Sequence, residues 1–301
     1  LKFFGLSYYV KSVYFKSLGV TLKDKKMDRI QKALDKAKGR QSVKQTEAAT
    51  TNIEKGSASE KIPAVSFDDI TYTQTKVANI SQQVLEEKRV VAGGYANPQS
   101  AVFRMLRTHV LQKMRTKNWQ TLAVTSPTAG EGKSLISANL AVAMAMESNQ
   151  TVLLVDMDLR NPSISEYFSL NAEIGLKDYI EGDLDLADVL INPSIARLVI
   201  LPGKGRAENS AELLASAKMA SLISDLKSQY DSRMIIFDMP PVLQTDDVLL
   251  ASNHIDCALL VLEDGKNKES EIVKSKQLLA SNHLLGTVLN KSEKPPMHQN
   301  Y

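Results

Sequence analysis

The chain has 301 residues, 43% of them hydrophobic, and a formal net charge of +3, which leaves room for one large α/β domain with polar additions. The charge is uneven: residues 1–26 hold six lysines and one aspartate, and the remainder holds 31 basic and 33 acidic residues, so the body is not a nucleic-acid binder by composition. One cysteine, Cys257 in the apolar run Cys257–Leu262, excludes a disulfide framework or a cysteine-based zinc site within one copy and predicts a reducing, cytoplasmic setting.

Leu1–Val20 is rich in aromatics but broken by Lys2, Lys11 and Lys16. It lacks the uninterrupted apolar run of a spanning helix and the cleavage site of a signal peptide. Two readings of residues 1–26 stay open: a stretch lying upstream of a start at Met27, or a basic amphipathic segment at a membrane surface. Residues 27–39 read as an amphipathic helix, with Ile30, Ala33, Leu34 and Ala37 on one face and Gly39 as its stop. Residues 40–94 read as a flexible linker, polar for most of their length. The main domain is expected over 95–291, with a tail over 292–301. It opens on a helix over Pro98–Lys117, with Val102, Met105, Leu106, Val110 and Leu111 as its apolar stripe.

From Trp119 the rhythm changes. Strands are predicted over Thr121–Thr125, Thr151–Asp156, Leu198–Leu201, Met234–Asp238, Ala258–Leu262 and Gly286–Asn290. Helices are predicted over Lys133–Met146, Glu212–Tyr230 and Glu269–Ser281. Short apolar runs alternating with helices predict an α/β fold, a doubly wound, mostly parallel sheet that binds ligands beyond the carboxyl ends of its strands.

Three motifs fall at such strand ends. Ser126-Pro-Thr-Ala-Gly-Glu-Gly-Lys-Ser134 sits between a strand and a helix, where a P-loop (Walker A) belongs. Gly130 and Gly132 let the backbone turn N–H groups around phosphate, Lys133 is expected at the β- and γ-phosphates, and Ser134 at Mg²⁺. Alone, the loop could also be a glycine turn capping a helix, and its first position holds Pro127 in place of the usual glycine. Val152-Leu-Leu-Val-Asp-Met-Asp-Leu-Arg160 ends a strand in Asp156 and Asp158. Their repulsion raises one pKa unless Mg²⁺ or Arg160 neutralises it. Met234-Ile-Ile-Phe-Asp238-Met-Pro-Pro241 is a Walker B-like strand whose acid is expected at a metal-bound water or at Ser134. A weaker fourth feature, Asn290 at the end of Thr287-Val-Leu-Asn290, is either an adenine contact or part of a plain turn.

Together, Gly130-Glu-Gly-Lys-Ser134, Asp156-Met-Asp-Leu-Arg160 and Asp238-Met-Pro-Pro241 resemble the Walker A, A′ and B motifs of the bacterial tyrosine kinases of capsule and exopolysaccharide export, where Pro127 is no departure. Arg104-Met-Leu-Arg-Thr108 and Asn209-Ser-Ala-Glu-Leu-Leu214 extend the resemblance over about residues 95–291. It implies a P-loop NTPase fold, ATP and Mg²⁺, and a protein-tyrosine autokinase with Lys133, Asp156, Asp158 and Arg160 catalytic. Ala129, Gly130, Glu131, Gly132, Lys133, Ser134, Leu135 and Asn290 are expected at the nucleotide, and Ser134, Asp156 and Asp238 at the metal. It also implies a membrane chain-length protein as activator, a cytoplasmic location at the inner membrane through that partner, and a homo-oligomer. Two departures stand out: Ala101 replaces the glutamate of the family's oligomerising E-x-x-R-x-x-R, and the tail offers only Tyr301 as acceptor. The alternatives are a dimerising switch ATPase of the partitioning type, disfavoured because residues 126–132 hold no second lysine, and a non-catalytic ATP-binding regulator of export.

Overall fold

The computed structural model describes residues 14–16, 75–94, 97–228, 232–280 and 283–292. The helix expected over 27–39, the linker up to residue 74 and the tail from 293 with Tyr301 lie outside the described residues.

Among the described residues nine strands form one sheet: β1 (Tyr14–Lys16), β2 (Lys76–Val77), β3 (Thr121–Thr125), β4 (Thr151–Asp156), β5 (Ile191–Asn192), β6 (Leu198–Leu201), β7 (Arg233–Asp238), β8 (Cys257–Glu263) and β9 (His283–Asn290). Their order is β1-β9-β8-β3-β7-β4-β6-β5-β2. The six strands from β9 to β6 run parallel. β5 is antiparallel to β6, β2 lies parallel to β5, and β1 closes the far edge antiparallel to β9. Residues 14–16 therefore belong to the sheet, where the sequence suggested an extension outside the domain.

Alternation along the central strands divides two apolar layers. Leu122, Val124, Val152, Leu154, Ile236 and Leu259 face one layer, and Ala123, Leu153, Val155, Ile235, Phe237 and Leu260 the other. Ten helices are described: α1 (Gln82–Glu87), α2 (Pro98–Thr116), α3 (Lys133–Ala145), α4 (Ile164–Tyr167), α5 (Leu176–Glu181), α6 (Leu186–Val189), α7 (Ser210–Leu214), α8 (Ala217–Ser228), α9 (Asp247–Ser252) and α10 (Glu269–Leu278). α2 and α3 pack on the first layer; α5, α7, α8 and α9 supply the second. Every residue of α3 from Ser134 to Ala145 is buried, and its alanines let it lie close against the sheet.

Two expectations need correction. The buried face of α2 is Phe103, Leu106, Val110, Leu111 and Met114, whereas Met105 is 65% exposed: the helical period from Phe103 leaves Met105 on the opposite side. Residues 76–94 are not linker. α1 buries Leu85, and Val90, Val91 and Ala92 enter the core. Buried Asn139 of α3 fastens this segment: its Oδ1 accepts from the N–H groups of Val91 and Ala92 at 2.8 and 3.1 Å, and its Nδ2 donates to the Arg89 carbonyl at 2.9 Å.

The chain runs from β3 to β4, later inserts β7 between them, and then turns back to β8. That reversal opens a crevice at the carboxyl ends of β3, β4 and β7.

Candidate active site

The loop after β3 enters α3 through Gly130 (φ 84°) and Gly132 (φ 92°). Both lie in the left-handed region that glycine tolerates. Gly132 is the N-cap of α3 and no side chain caps that end, so its N–H groups are left for a ligand. The Glu131 side chain does not face the crevice. It is fully buried, and its carboxylate accepts from the Thr128 hydroxyl at 2.6 Å, from the Thr128 N–H and from the Asn267 amide, bracing the loop from within. Leu135 packs into the core, so only its main chain is available to a ligand.

Lys133 is the hub. Its Nζ lies 2.7 Å from Asp158 Oδ2, 3.5 Å from Asp238 Oδ2 and 3.1 Å from the Ser134 hydroxyl. Burial alone would lower its pKa; the charges of Asp238 and Asp158 outweigh burial and hold the ammonium above its ordinary value. Asp238 accepts from Ser134 Oγ at 2.6 Å and from Ser137 Oγ at 2.9 Å. Asp156 stands beside it in the β4–β7 register. Asp156 Oδ2 accepts from the Ser163 and Ile164 N–H groups, both at 2.9 Å, while its buried Oδ1 has no hydrogen-bond partner. Burial, and then the Asp238 charge, push the Asp156 carboxyl up to about 8. Burial raises Asp238 as well, against the pull of Lys133.

A cavity of about 400 Å³ opens on these groups, lined among others by Gly130, Lys133, Ser134, Asp158, Arg160 and Tyr167. Ala129 and Gly132 also line it; Asp156 and Asp238 lie beneath its floor. Arg160 reaches the cavity but spends its guanidinium on Asp247, with Nε to Oδ2 at 3.1 Å and Nη2 to Oδ1 at 3.2 Å. That hydrogen-bonded pairing raises the Arg160 pKa and ties the loop after β4 to α9.

Asn290, read in the sequence as either an adenine contact or part of a turn, is engaged with the P-loop in the ligand-free protein. Its side chain is fully buried, its Nδ2 donates to the Glu131 carbonyl at 2.8 Å, and its Oδ1 accepts from the Lys291 N–H at 2.9 Å. In this structure it steadies the P-loop. Five residues around the site were missed in the sequence: Ser137, Asp247, Tyr167, Lys266 and Lys291. Ser137 alone left a signal, three residues after Ser134 and so on the same helix face.

A nested loop on one parallel strand, with acids ending the two strands that follow in the sheet, defines the P-loop nucleotide-binding class. In keeping with this, the family model described as AAA domain matches residues 119–263. Over 204 residues the chain is 32% identical to the tyrosine-protein kinase YwqD of Bacillus subtilis, covering 67% of this chain and 84% of the relative. It is 33% identical over 192 residues to the tyrosine-protein kinase CpsD of Streptococcus agalactiae serotype III, covering 63% and 81%. Among solved structures, the chimerical protein CapA2B2 matches at 30% identity with a TM-score of 0.63, covering 73% of this chain and 94% of that one. The kinase domain of the Escherichia coli tyrosine kinase ETK matches at 26% identity with a TM-score of 0.62, covering 73% and 89%. The chain belongs to the bacterial tyrosine-protein kinases.

Proposed function

We propose that this chain transfers the γ-phosphoryl group of ATP to tyrosine hydroxyls, its own included, and so regulates polymerisation and export of an exopolysaccharide or capsule. The observation that carries this reading is Lys133, held by Asp158 and Asp238 at the mouth of an uncapped helix. A lysine so placed is preset to exchange carboxylate oxygens for phosphate oxygens when the substrate enters.

The residues present fit Mg²⁺. Asp156 carries a buried oxygen with no partner, and Asp238 and Ser134 share a short hydrogen bond beside it. Among the described residues no three His, Cys, Asp or Glu side chains form a self-sufficient metal cage, which suits an ion that takes much of its shell from phosphate and water. Ser134, Asp156 and Asp238 would hold it, and when bound it neutralises charge on the phosphates. Asp158 lines the cavity and accepts the proton of the incoming tyrosine hydroxyl as the new O–P bond forms and ADP leaves. Arg160, anchored on Asp247, shapes the acceptor side of the same cavity. Catalysis of this kind is mostly positioning and charge neutralisation.

The partner is a membrane chain-length protein that activates the kinase at the cytoplasmic face of the inner membrane. Among the described residues no helix is long and apolar enough to cross a membrane, in keeping with attachment through a partner. Tyr301 is the acceptor in the tail.

Incubation of the purified protein with ATP·Mg²⁺ is expected to give phosphotyrosine that disappears in Lys133→Met, and mass spectrometry is expected to place it on Tyr301. ATP-driven dimerisation with phosphate release but no phosphotyrosine would replace this reading with a partitioning-type switch. Nucleotide binding without turnover would replace it with a regulator.

A further inference from the structure

Three successive carbonyls of the P-loop are each held from behind. The Ala129 carbonyl accepts from Lys266 Nζ at 2.7 Å, the Gly130 carbonyl from Lys291 Nζ at 2.7 Å, and the Glu131 carbonyl from Asn290 Nδ2 at 2.8 Å. All three donors come from the ends of β8 and β9. Glu263, the last residue of β8, pairs with both ammonium groups, at 3.4 Å from Lys266 and 3.1 Å from Lys291.

In a planar trans peptide the N–H points opposite the C=O. Carbonyls drawn toward β8 and β9 therefore turn the N–H groups of Gly130, Glu131 and Gly132 the other way, toward the cavity that the two glycines line. Positive φ at Gly130 and Gly132 is the backbone such an amide nest uses.

We propose that Lys266 and Lys291, yoked by Glu263, are positioning residues for the nucleotide: two cationic struts that preset the amide nest for the phosphate next to the transferred one. The proposal rests on the nucleotide-binding reading above. Neither ammonium lines the cavity, so the struts act on the ligand through the loop. An ammonium on a peptide oxygen polarises that peptide and strengthens its N–H as a donor. A loop already in shape pays less ordering entropy when the ligand arrives. Half-exposed lysine pairs of this kind add little to fold stability, so the effect belongs to binding. The phosphate they serve is held alike before and during transfer, so KM carries the effect and kcat does not.

The test uses Lys266→Met, Lys291→Met and the double variant, with the melting temperature of ligand-free protein as the control for folding. Calorimetry with ADP and Mg²⁺ is expected to show affinity weakened about tenfold or more in the double variant. The KM for ATP rises in step, while kcat stays within about twofold. Lys266→Arg and Lys291→Arg recover most of the affinity. Parent-like affinity in the two single variants and the double would overturn the struts while leaving the nucleotide site standing. A fall in kcat at unchanged KM would overturn them too, assigning the lysines to chemistry. Failure of the parent protein to bind ADP would remove the reading beneath them.

Discussion

Asp156, Asp158 and Asp238 crowd around one ammonium, and two of the three are fully buried. Lys133 is therefore structural in the ligand-free protein, whatever it does with a nucleotide. Its side chain is only 12% exposed, not free in a solvent-facing loop as its place in the motif suggests. Lys133→Met is expected to abolish transfer and also to destabilise the ligand-free fold by about 3 kcal/mol, the scale of a broken buried pair; chemical denaturation measures it. Asp156 predicts a pH dependence. Its folded pKa, about 8, lies above the unfolded carboxylate value, so in that window the native state keeps a proton the unfolded chain has released. Stability of the ligand-free protein then falls as pH rises from the ordinary carboxylate range through about 8. Thermal melts across that range should show the decline, and Asp156→Asn should make it shallower, leaving the share carried by Asp238, while cutting transfer about 10²-fold or more. A variant with the parent's slope would remove Asp156 as its source. Lys133, Ser134 and the three acids were legible in the sequence because each sits in a local pattern at a strand end. Lys266, Lys291 and Asp247 were not, because their partners lie 87 to 161 residues away along the chain and only the sheet order brings them near.

Elements with a long apolar period announced themselves, and short ones did not. β3 and β4 run where they were predicted, and α3 ends one residue early. The helix predicted over Glu212–Tyr230 is two, α7 and α8, broken at Ala215 and Ser216. α4, α5, α6 and α9 span four to six residues each, less than two turns, too few for a helical period to show. α1 was hidden for a different reason: Leu85 is its one buried side chain, and apart from Val84 the rest of the helix is glutamine and glutamate. Tertiary contacts hold this segment rather than propensity, and Asn139 is the fastening. Asn139→Ala is expected to cost about 1–3 kcal/mol, because it strands the N–H groups of Val91 and Ala92 in the core. Hydrogen exchange should speed at those two amides and leave β7 protected. Equal speeding in both places would mean that the segment and the sheet open together.

At the scale of the molecule, α2 bears on assembly. Arg104 donates to Ser100 Oγ at 2.6 Å, and Arg107 donates to the Ala143 carbonyl at 3.1 Å and pairs with Glu147 at 3.3 Å. With Ala101 in place of a glutamate, Arg107 takes its carboxylate from Glu147 of its own chain and Arg104 turns to the Ser100 hydroxyl. Sedimentation at low micromolar concentration is expected to show no ring, and a stable ring would mean that other residues supply the missing carboxylate. The doubly wound sheet was legible from the alternation of strands and helices, whereas its two edges, β1 and β2, were not: two or three residues of strand carry no pattern. The lone thiol has a practical consequence. Cys257 sits fully buried in β8 against the Thr121 carbonyl, and burial drives its pKa far above that of a free thiol. Thiol-reactive dyes will pass over it. One cysteine placed at will on the surface can therefore take a fluorophore in an otherwise native background, and test whether and where the proposed membrane partner docks.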